Sequence, residues 1–151
     1  MKNYLWLDVD GVLLDFIGTM KKFGIKLKPN EFVNFQWGKN GYPTAEEFYD
    51  VVEPQPWMRK LLICFGENLD FKLLTTSHAE LKEKTFKEKF DLDLIIIQSF
   101  KKENFCRNPV CTLIDDNNNY CQAWQEKGGL SYWFNLAEKE PFKKFLLWWD
   151  L

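Results

Sequence analysis

Hydrophobic residues along the chain fall into two alternating patterns, short apolar runs and longer stretches with an apolar residue every three or four positions. Short runs are typical of parallel strands buried on both faces, and the periodic stretches are typical of amphipathic helices. The predicted strands are 4–7, 71–75, 94–97, 110–114 and 130–134, and the predicted helices are 15–23, 45–52, 57–65, 79–90, 120–127 and 141–151. This alternation predicts an α/β fold with a doubly wound (Rossmann-like) parallel sheet of five strands.

The segment between the first two strands is too long for a single crossover and has a different composition. Residues 25–43 mix aromatic side chains with glycine and proline, and Thr44 followed by Glu47 is a capping box that starts a helix. We therefore predict a small, mainly helical cap subdomain over 16–65, inserted after the first strand. The core domain is predicted over 1–15 and 66–151.

Composition narrows the class of protein further. The 151 residues suit one domain with a small insertion, and a hydrophobic fraction of 46% is enough for a core. A net charge of −2 does not suggest a nucleic acid polymer or a membrane surface as a partner. The four cysteines form no CxxC pair and there is one histidine, which argues against zinc. With no signal peptide pattern at the start, we expect reduced thiols and a cytoplasmic location.

Polar side chains follow three of the predicted strands at the point where each strand ends. They form three groups, which are Asp8 and Asp10 before Gly11, then Thr75, Thr76 and Ser77, and finally Asp115 and Asp116. Because the carboxyl ends of parallel strands meet at one edge of a sheet, these side chains are expected to share a crevice.

Carboxylates gathered in one crevice repel one another unless a cation lies among them, and hard oxygen ligands suit Mg²⁺. The hydroxyls of Thr76 and Ser77, next to a helix N-terminus, suit a phosphate. Lys101 or Lys102 would add positive charge. Plainer explanations also exist, because Ser77 could cap the next helix, the aspartate pair could form a turn and the lysines could face solvent. The combination, in strand order, favours a phosphate site.

These residues resemble the four motifs of the haloacid dehalogenase (HAD) superfamily of phosphohydrolases, over nearly the whole chain. The matching segments are 8–12, 73–77, Lys101 or Lys102, and 113–116. The match also resembles, more loosely, the 5'(3')-deoxyribonucleotidase group and its bacterial and phage relatives. That finer resemblance is carried by 10–16, by Phe48-Tyr49 with 53–56, and by Trp124 and Gly128-Gly129 after the aspartate pair.

The resemblance implies a role for each motif residue. Asp8 would attack phosphorus and form an aspartyl-phosphate, and Asp10 would protonate the leaving oxygen and then activate water. Metal binding is implied for Asp8, the backbone carbonyl of Asp10, Asp116 and, directly or through water, Asp115. Thr76 and Ser77 would bind phosphate oxygens. Of the two lysines we favour Lys101 as the catalytic one, with Lys102 among the substrate-binding residues. Asn117 stands where relatives often have arginine.

The cap would choose the substrate. Phe16 falls where the nucleotidase group has a base-contacting phenylalanine, and Trp37 and Phe35 are its expected companions, with packing inside the cap as the alternative. The resemblance implies a Mg²⁺-dependent phosphomonoesterase for (deoxy)nucleoside monophosphates. The alternatives are a phosphatase for another small phosphorylated metabolite and a non-catalytic phosphate-binding protein. The expected partner is a small phosphomonoester, and a homodimer is left open.

Overall fold

A computed structural model describes residues 4–30, 36–66, 71–107 and 111–150. In chain order the elements are β1 (Leu5–Leu7), α1 (Phe16–Lys22), α2 (Ala45–Val51), α3 (Met58–Gly66), β2 (Phe71–Thr75), α4 (Ala79–Phe90), β3 (Ile96–Gln98), a 3₁₀ helix (Lys102–Phe105), β4 (Thr112–Asp115), α5 (Asn118–Glu126), β5 (Leu130–Trp133) and α6 (Pro141–Trp149).

Every predicted strand and helix is present, and most differences lie at the ends. The predicted bounds of β2 and α4 match, whereas α5 begins earlier than its apolar periodicity indicates. The reason is a polar cap, because the Asn117 side chain accepts a hydrogen bond of 3.0 Å from the backbone N–H of Asn119. Val110 and Leu151, which belonged to a predicted strand and helix, lie outside the described residues.

The strands form one parallel sheet in the order β3-β2-β1-β4-β5, with β1 at its centre. Leu7 pairs with Leu73 of β2 on one side and with Ile114 of β4 on the other. The residues that follow these three strands therefore emerge at the same edge of the sheet, which is how the polar groups named above come together.

Both faces of the sheet are buried. Leu5 and Leu7 of β1 belong to the larger hydrophobic cluster, which includes residues of all the described α-helices except α5. Trp6, between them, points to the opposite face and packs in a smaller cluster with Trp124 of α5. This alternation is what a parallel strand buried on both faces requires, and it gives the doubly wound fold that the sequence predicts.

The chain between β1 and β2 carries α1, α2 and α3. The predicted capping box of α2 is present, since the backbone N–H of Glu47 donates to Thr44 Oγ1 and the N–H of Thr44 donates to Glu47 Oε1. Phe65 of α3 packs 4.8 Å from Trp149 of α6 between ring centroids, so α3 lies against the last helix of the core. The domain boundary at residue 65 stays a prediction.

The cysteines and the lengths of the helices can also be compared with what the sequence predicts. All four cysteines are free thiols. Among the helices in the described ranges, none combines the length and the apolar character needed to cross a bilayer.

Candidate active site

The carboxyl ends of β1, β2 and β4 open into a cavity of about 290 Å³. The described residues that the sequence predicted for the site line this cavity, with the exception of Lys101. They are Asp8, Asp10, Phe16, Trp37, Thr76, Ser77, Lys102, Asp115 and Asp116. Further lining residues that the sequence did not single out as site residues include Ile17, Leu27, Lys28, Asn30, Asn117, Tyr120 and Leu136.

Gly11 allows the chain to turn directly after β1 and brings the loop against Asp116. Its φ is +87°, in the left-handed region that favours glycine. A Cβ atom added to Gly11 would clash with Oδ2 of Asp116 unless that side chain moved. The position therefore needs glycine for its backbone angle and also for the space that the carboxylate occupies.

Asp8, Asp115 and Asp116 form an acidic cluster in which each offers one carboxylate oxygen, all within 4.8 Å of one another. Lys102 Nζ lies 2.8 Å from Asp8 Oδ1 and 2.7 Å from Asp115 Oδ2, and the Lys102 side chain is 1% exposed. Burial alone would lower the pKa of Lys102, but the two carboxylates raise it above its usual value. Lys102 is therefore a fixed positive charge inside the cluster.

In the acidic cluster, burial and mutual repulsion favour carboxyl groups that keep their protons, so the cluster carries less negative charge than three carboxylates would. Burial, with the Asp8 charge, raises the pKa of Asp115 to about 7, although Lys102 opposes the shift. Burial and the charges of Asp8 and Asp115 raise the pKa of Asp116 well above its usual value. Burial would also raise the pKa of Asp8, but the Lys102 ammonium and a hydrogen bond from Asp116 hold it below its usual value. A divalent cation would take the place of the retained protons.

The donor set fits a hard divalent cation such as Mg²⁺. Both oxygens of Asp115 already have partners, because Oδ2 accepts from Lys102 and Oδ1 accepts from the backbone N–H of Asn117 at 2.9 Å. This favours Asp8 and Asp116 as direct ligands and Asp115 as a ligand through water. The expected contribution of the Asp10 backbone carbonyl stays a prediction.

The structure does not bring Lys101, which the sequence favoured, to the cavity, and places Lys102 there instead. Lys101 precedes the 3₁₀ helix, its side chain is exposed, and its backbone N–H donates to Ser99 Oγ. Lys102 begins that helix and turns inward, with Nζ also 4.8 Å from the ring centroid of Tyr120. A pair of adjacent lysines gives no periodicity from which to choose between them.

The carboxylate of Asp10 is not part of the acidic cluster and has partners of its own. Tyr49 Oη donates to Asp10 Oδ2 at 2.9 Å, and Lys82 Nζ lies 2.7 Å from the same oxygen. Burial, together with the Asp10 charge, raises the pKa of Tyr49 well above its usual value, so its hydroxyl remains a donor. Neither Tyr49 nor Lys82 was predicted as a site residue.

A signal for Lys82 was present in the sequence. On α4 it lies on the buried side of the helix, together with Ala79, Thr85, Phe86 and Phe90. A lysine in a stripe of small and apolar residues must either reach solvent or find a buried partner. Lys82 does the second, and its side chain is fully buried.

The hydroxyl groups after β2 do not cap the following helix. The N-cap of α4 is His78, which makes no side-chain capping bond, and the backbone N–H of Ala79 donates to Gln98 Oε1 at 3.1 Å. The alternative in which Ser77 serves as the cap is therefore wrong. Thr76 and Ser77 line the cavity instead.

Aromatic rings from the segment before β2 line one side of the cavity. The Phe16 ring lies 5.0 Å from that of Phe48 and 6.1 Å from that of Trp37 between centroids. Trp37 also meets His78, at 5.9 Å, and so contacts the loop that carries Ser77. Phe16 and Trp37 thus combine cavity lining with packing in the aromatic cluster. Phe35 lies outside the described residues.

The order and the parallel pairing of the strands, with the helices on both faces, are those of the haloacid dehalogenase-like (HAD-like) α/β fold. An HAD family enzyme from Bacteroides thetaiotaomicron, a mutant in complex with magnesium and inorganic phosphate, is similar with a TM-score of 0.59 at 14% identity, over 92% of this chain and 96% of that one. The HAD-hydrolase YfnB from Bacillus subtilis, bound to magnesium, is similar with a TM-score of 0.61 at 15% identity, over 91% and 89%.

A haloacid dehalogenase-like family hydrolase from Streptococcus pneumoniae is similar with a TM-score of 0.58 at 14% identity, over 95% of this chain and 90% of that one. No protein-family model and no curated protein matches the sequence. At these identities the likeness establishes the fold alone.

Proposed function

We propose that this protein is a Mg²⁺-dependent phosphomonoesterase that works through an aspartyl-phosphate on Asp8. The observation that carries the proposal is the separation of the two carboxylates after β1. Asp8 belongs to the acidic cluster and is paired with Lys102, whereas Asp10, two residues on, is paired with Tyr49 and Lys82. These different partners support the proposal that Asp8 is the nucleophile and Asp10 the acid and base.

In the first step an oxygen of Asp8 forms a bond to phosphorus while the ester bond to the leaving oxygen breaks. The leaving oxygen takes the electron pair of that bond and accepts the proton of the Asp10 carboxylic acid, which becomes a carboxylate. In the second step the Asp10 carboxylate accepts a proton from water, whose oxygen bonds to phosphorus as the bond to Asp8 breaks. Inorganic phosphate leaves, Asp8 is again a carboxylate and Asp10 is again protonated.

Lys102 takes the role for which the sequence favoured Lys101. Its ammonium lies within 2.8 Å of the nucleophile and would stabilise charge on the transferring phosphoryl group. Thr76 and Ser77 would bind phosphate oxygens. Mg²⁺, held by Asp8, Asp116 and the Asp10 carbonyl with Asp115 through water, would neutralise the carboxylates and the phosphate dianion. The magnesium in the Bacteroides and Bacillus proteins supports this choice of metal.

The substrate we propose is a (deoxy)nucleoside monophosphate. The support is the aromatic lining of the cavity, since Phe16 and Trp37 offer π surfaces on which a nucleobase can stack. A second candidate is another small phosphorylated metabolite. It is favoured by Lys28 and Asn30, which also line the cavity and suit a polar or acidic group. A non-catalytic phosphate-binding protein would not need both Asp8 and Asp10 in these separate environments.

The test is phosphate release from a panel of phosphomonoesters, with nucleotides and sugar phosphates, in Mg²⁺ and in EDTA. We expect turnover in Mg²⁺ only, and no turnover by Asp8→Asn, whose amide has the shape of the carboxylate but cannot attack phosphorus. Asp93→Asn, the same change at an exposed position, is the control and should match the wild type. Release of phosphate by a folded Asp8→Asn protein at the wild-type rate would overturn the mechanism.

A further inference from the structure

We propose that Lys82 and Tyr49 are positioning residues that hold the Asp10 carboxylate in place to protonate the leaving oxygen, an inference that rests on the proposed phosphatase function. Together they approach Asp10 from two sides, Lys82 from α4 and Tyr49 from α2. The orientation of the acid is thus set jointly by the core and by the segment inserted between β1 and β2.

Lys82 reaches Asp10 because of its place on α4. It lies one turn after the helix begins, and its backbone N–H donates to the carbonyl of His78. Helical side chains lean toward the helix N-terminus, which here faces the carboxyl ends of the strands. Nζ lies 2.7 Å from Asp10 Oδ2, donates at 2.7 Å to Thr75 Oγ1, and is 5.4 Å from the centroid of the Tyr49 ring.

Burying this ammonium costs free energy that simple helix packing would not require. An apolar side chain of similar length would fill the same space on the buried stripe of α4 without desolvating a charge. Lys82 instead forms an ion pair with the carboxylate of Asp10. We infer that its position serves Asp10.

Asp10 is fixed on the side facing Lys82 and Tyr49 and remains open toward the cavity. Tyr49 Oη contacts both of its oxygens, at 3.0 and 2.9 Å, yet the Asp10 side chain is 26% exposed and lines the cavity. Neither Lys82 nor Tyr49 is among the described residues that line the cavity. Their effect on the reaction therefore passes through Asp10.

The alternative is that Lys82 only ties α4 to its neighbours. Another lysine on α4 makes such a tie, because Lys89 Nζ donates to the backbone carbonyls of Asp50 and Val52, at 2.8 and 3.0 Å, at the end of α2. Lys89→Met thus removes a lysine contact between the same two helices without touching Asp10. It is the matched control for Lys82→Met.

The test compares benzyl phosphate with p-nitrophenyl phosphate, two aryl-bearing esters of similar size. The benzyl alkoxide needs a proton as it leaves, whereas p-nitrophenolate is a stable anion and needs little help. The quantity compared is kcat/KM with Mg²⁺, because it covers the steps up to formation of the aspartyl-phosphate. Hydrolysis of the aspartyl-phosphate, in which Asp10 activates water in the same way for both esters, does not affect kcat/KM.

We expect Lys82→Met to lower kcat/KM for benzyl phosphate by about 10- to 100-fold and for p-nitrophenyl phosphate by less than about 3-fold. Tyr49→Phe, which keeps the ring, should show the same selectivity to a smaller degree. Asp10→Asn should show it most strongly, and Lys89→Met should leave the ratio of the two esters unchanged. Thermal unfolding of each variant shows whether the variant is folded. If Lys82→Met does not fold, Tyr49→Phe alone provides the test.

Equal losses on the two esters in folded Lys82→Met or Tyr49→Phe would overturn the inference and leave the proposed function standing. A wild-type protein that hydrolyses neither ester, nor any of the panel above, would overturn the proposed function and this inference with it. The two failures are therefore distinguishable.

Discussion

Lys102 donates a hydrogen bond of 2.8 Å to Asp8 across 94 positions of sequence, from the 3₁₀ helix before β4 to the end of β1. The same ammonium donates to Asp115 at 2.7 Å, so one cation joins the strands on which the proposed nucleophile and metal ligands lie. Because Lys102 is buried and paired, solvent and salt screen its charge much less than they screen the charge of a surface lysine.

Because only Lys102 makes these contacts, substitutions of the two adjacent lysines are expected to have different effects on activity. We expect Lys102→Met to lower kcat by about 100-fold or more, the scale of losing one group that stabilises transition-state charge. Lys101→Met, the same change at the neighbouring exposed position, should alter kcat by less than about 2-fold. Steady-state kinetics on p-nitrophenyl phosphate with Mg²⁺ measures both. Similar losses in the two variants would contradict the assignment of Lys102.

Gly11 gives a second test, with a control supplied by the chain. Gly11→Ala should weaken activation by Mg²⁺ by about 10-fold or more, because the new Cβ must displace the Asp116 carboxylate. Gly41 has a similar φ of +85°, and nothing lies within 4 Å of an added Cβ there. Gly41→Ala thus carries the backbone strain, about 1–3 kcal/mol, without the clash. An equal shift in the Mg²⁺ titration of both variants would show that strain alone is responsible.

The acidic cluster predicts how stability depends on pH when no metal is bound. The folded-state pKa values of Asp115, at about 7, and of Asp116 are raised above the ordinary value of 3.8, so the folded chain holds protons that the unfolded chain has released. Their contribution is fully present below about pH 4 and is lost as pH rises toward 7 and beyond. The lowered pKa of Asp8 has the opposite sign and acts below pH 4, outside this window.

We therefore expect the Tm in EDTA to fall by roughly 5 °C or more between pH 5 and pH 8, at about 2–4 °C per kcal/mol for a chain of this size. Mg²⁺ should stabilise the protein more at pH 8 than at pH 5, since it binds the deprotonated carboxylates. Asp116→Asn removes one of the titrating groups and should flatten the dependence. A variant with the wild-type slope would mean that Asp116 does not contribute to it.

The sequence predicted the sheet well because its signals are local. A strand buried on both faces must be apolar throughout, and an amphipathic helix must repeat its apolar residues, so β2 and α4 could be bounded from pattern alone. The edge strand β3 was harder. Ile95 is 81% exposed, and pairing with Leu73 of β2, not hydrophobicity, places the start of the strand at Ile96.

The site could be predicted only as far as its residues sit at strand ends. Asp8, Thr76 and Asp116 follow strands, so topology alone brings them to one edge. Lys102 and Lys82 approach Asp8 and Asp10 from helices, and their positions depend on which way a helix is rotated and where it begins. A run of two lysines does not encode that rotation, which is set by tertiary packing. The stripe of α4 that holds Lys82 indicates a buried lysine but does not name its partner.

Substitution of Phe16 tests whether the substrate is a nucleotide. If its ring stacks on the base, Phe16→Ala should lower kcat/KM for thymidine 5'-monophosphate by about 5- to 150-fold, which corresponds to roughly 1–3 kcal/mol of stacking. Deoxyribose 5-phosphate, the same sugar phosphate without the base, should lose little, since its phosphate is held by the groups at the strand ends.

The control for Phe16→Ala is Phe23→Ala. The Phe23 ring also packs on Phe48, at 6.4 Å between centroids, but Phe23 is not among the described residues that line the cavity. Its loss should lower the Tm without changing the preference for the nucleotide over the sugar phosphate. Were Phe16→Ala to reduce kcat/KM equally for both substrates, the ring would serve only to pack against Phe48. The phosphatase for another small metabolite, with Lys28 and Asn30 as the polar side of its cavity, would then be the better proposal.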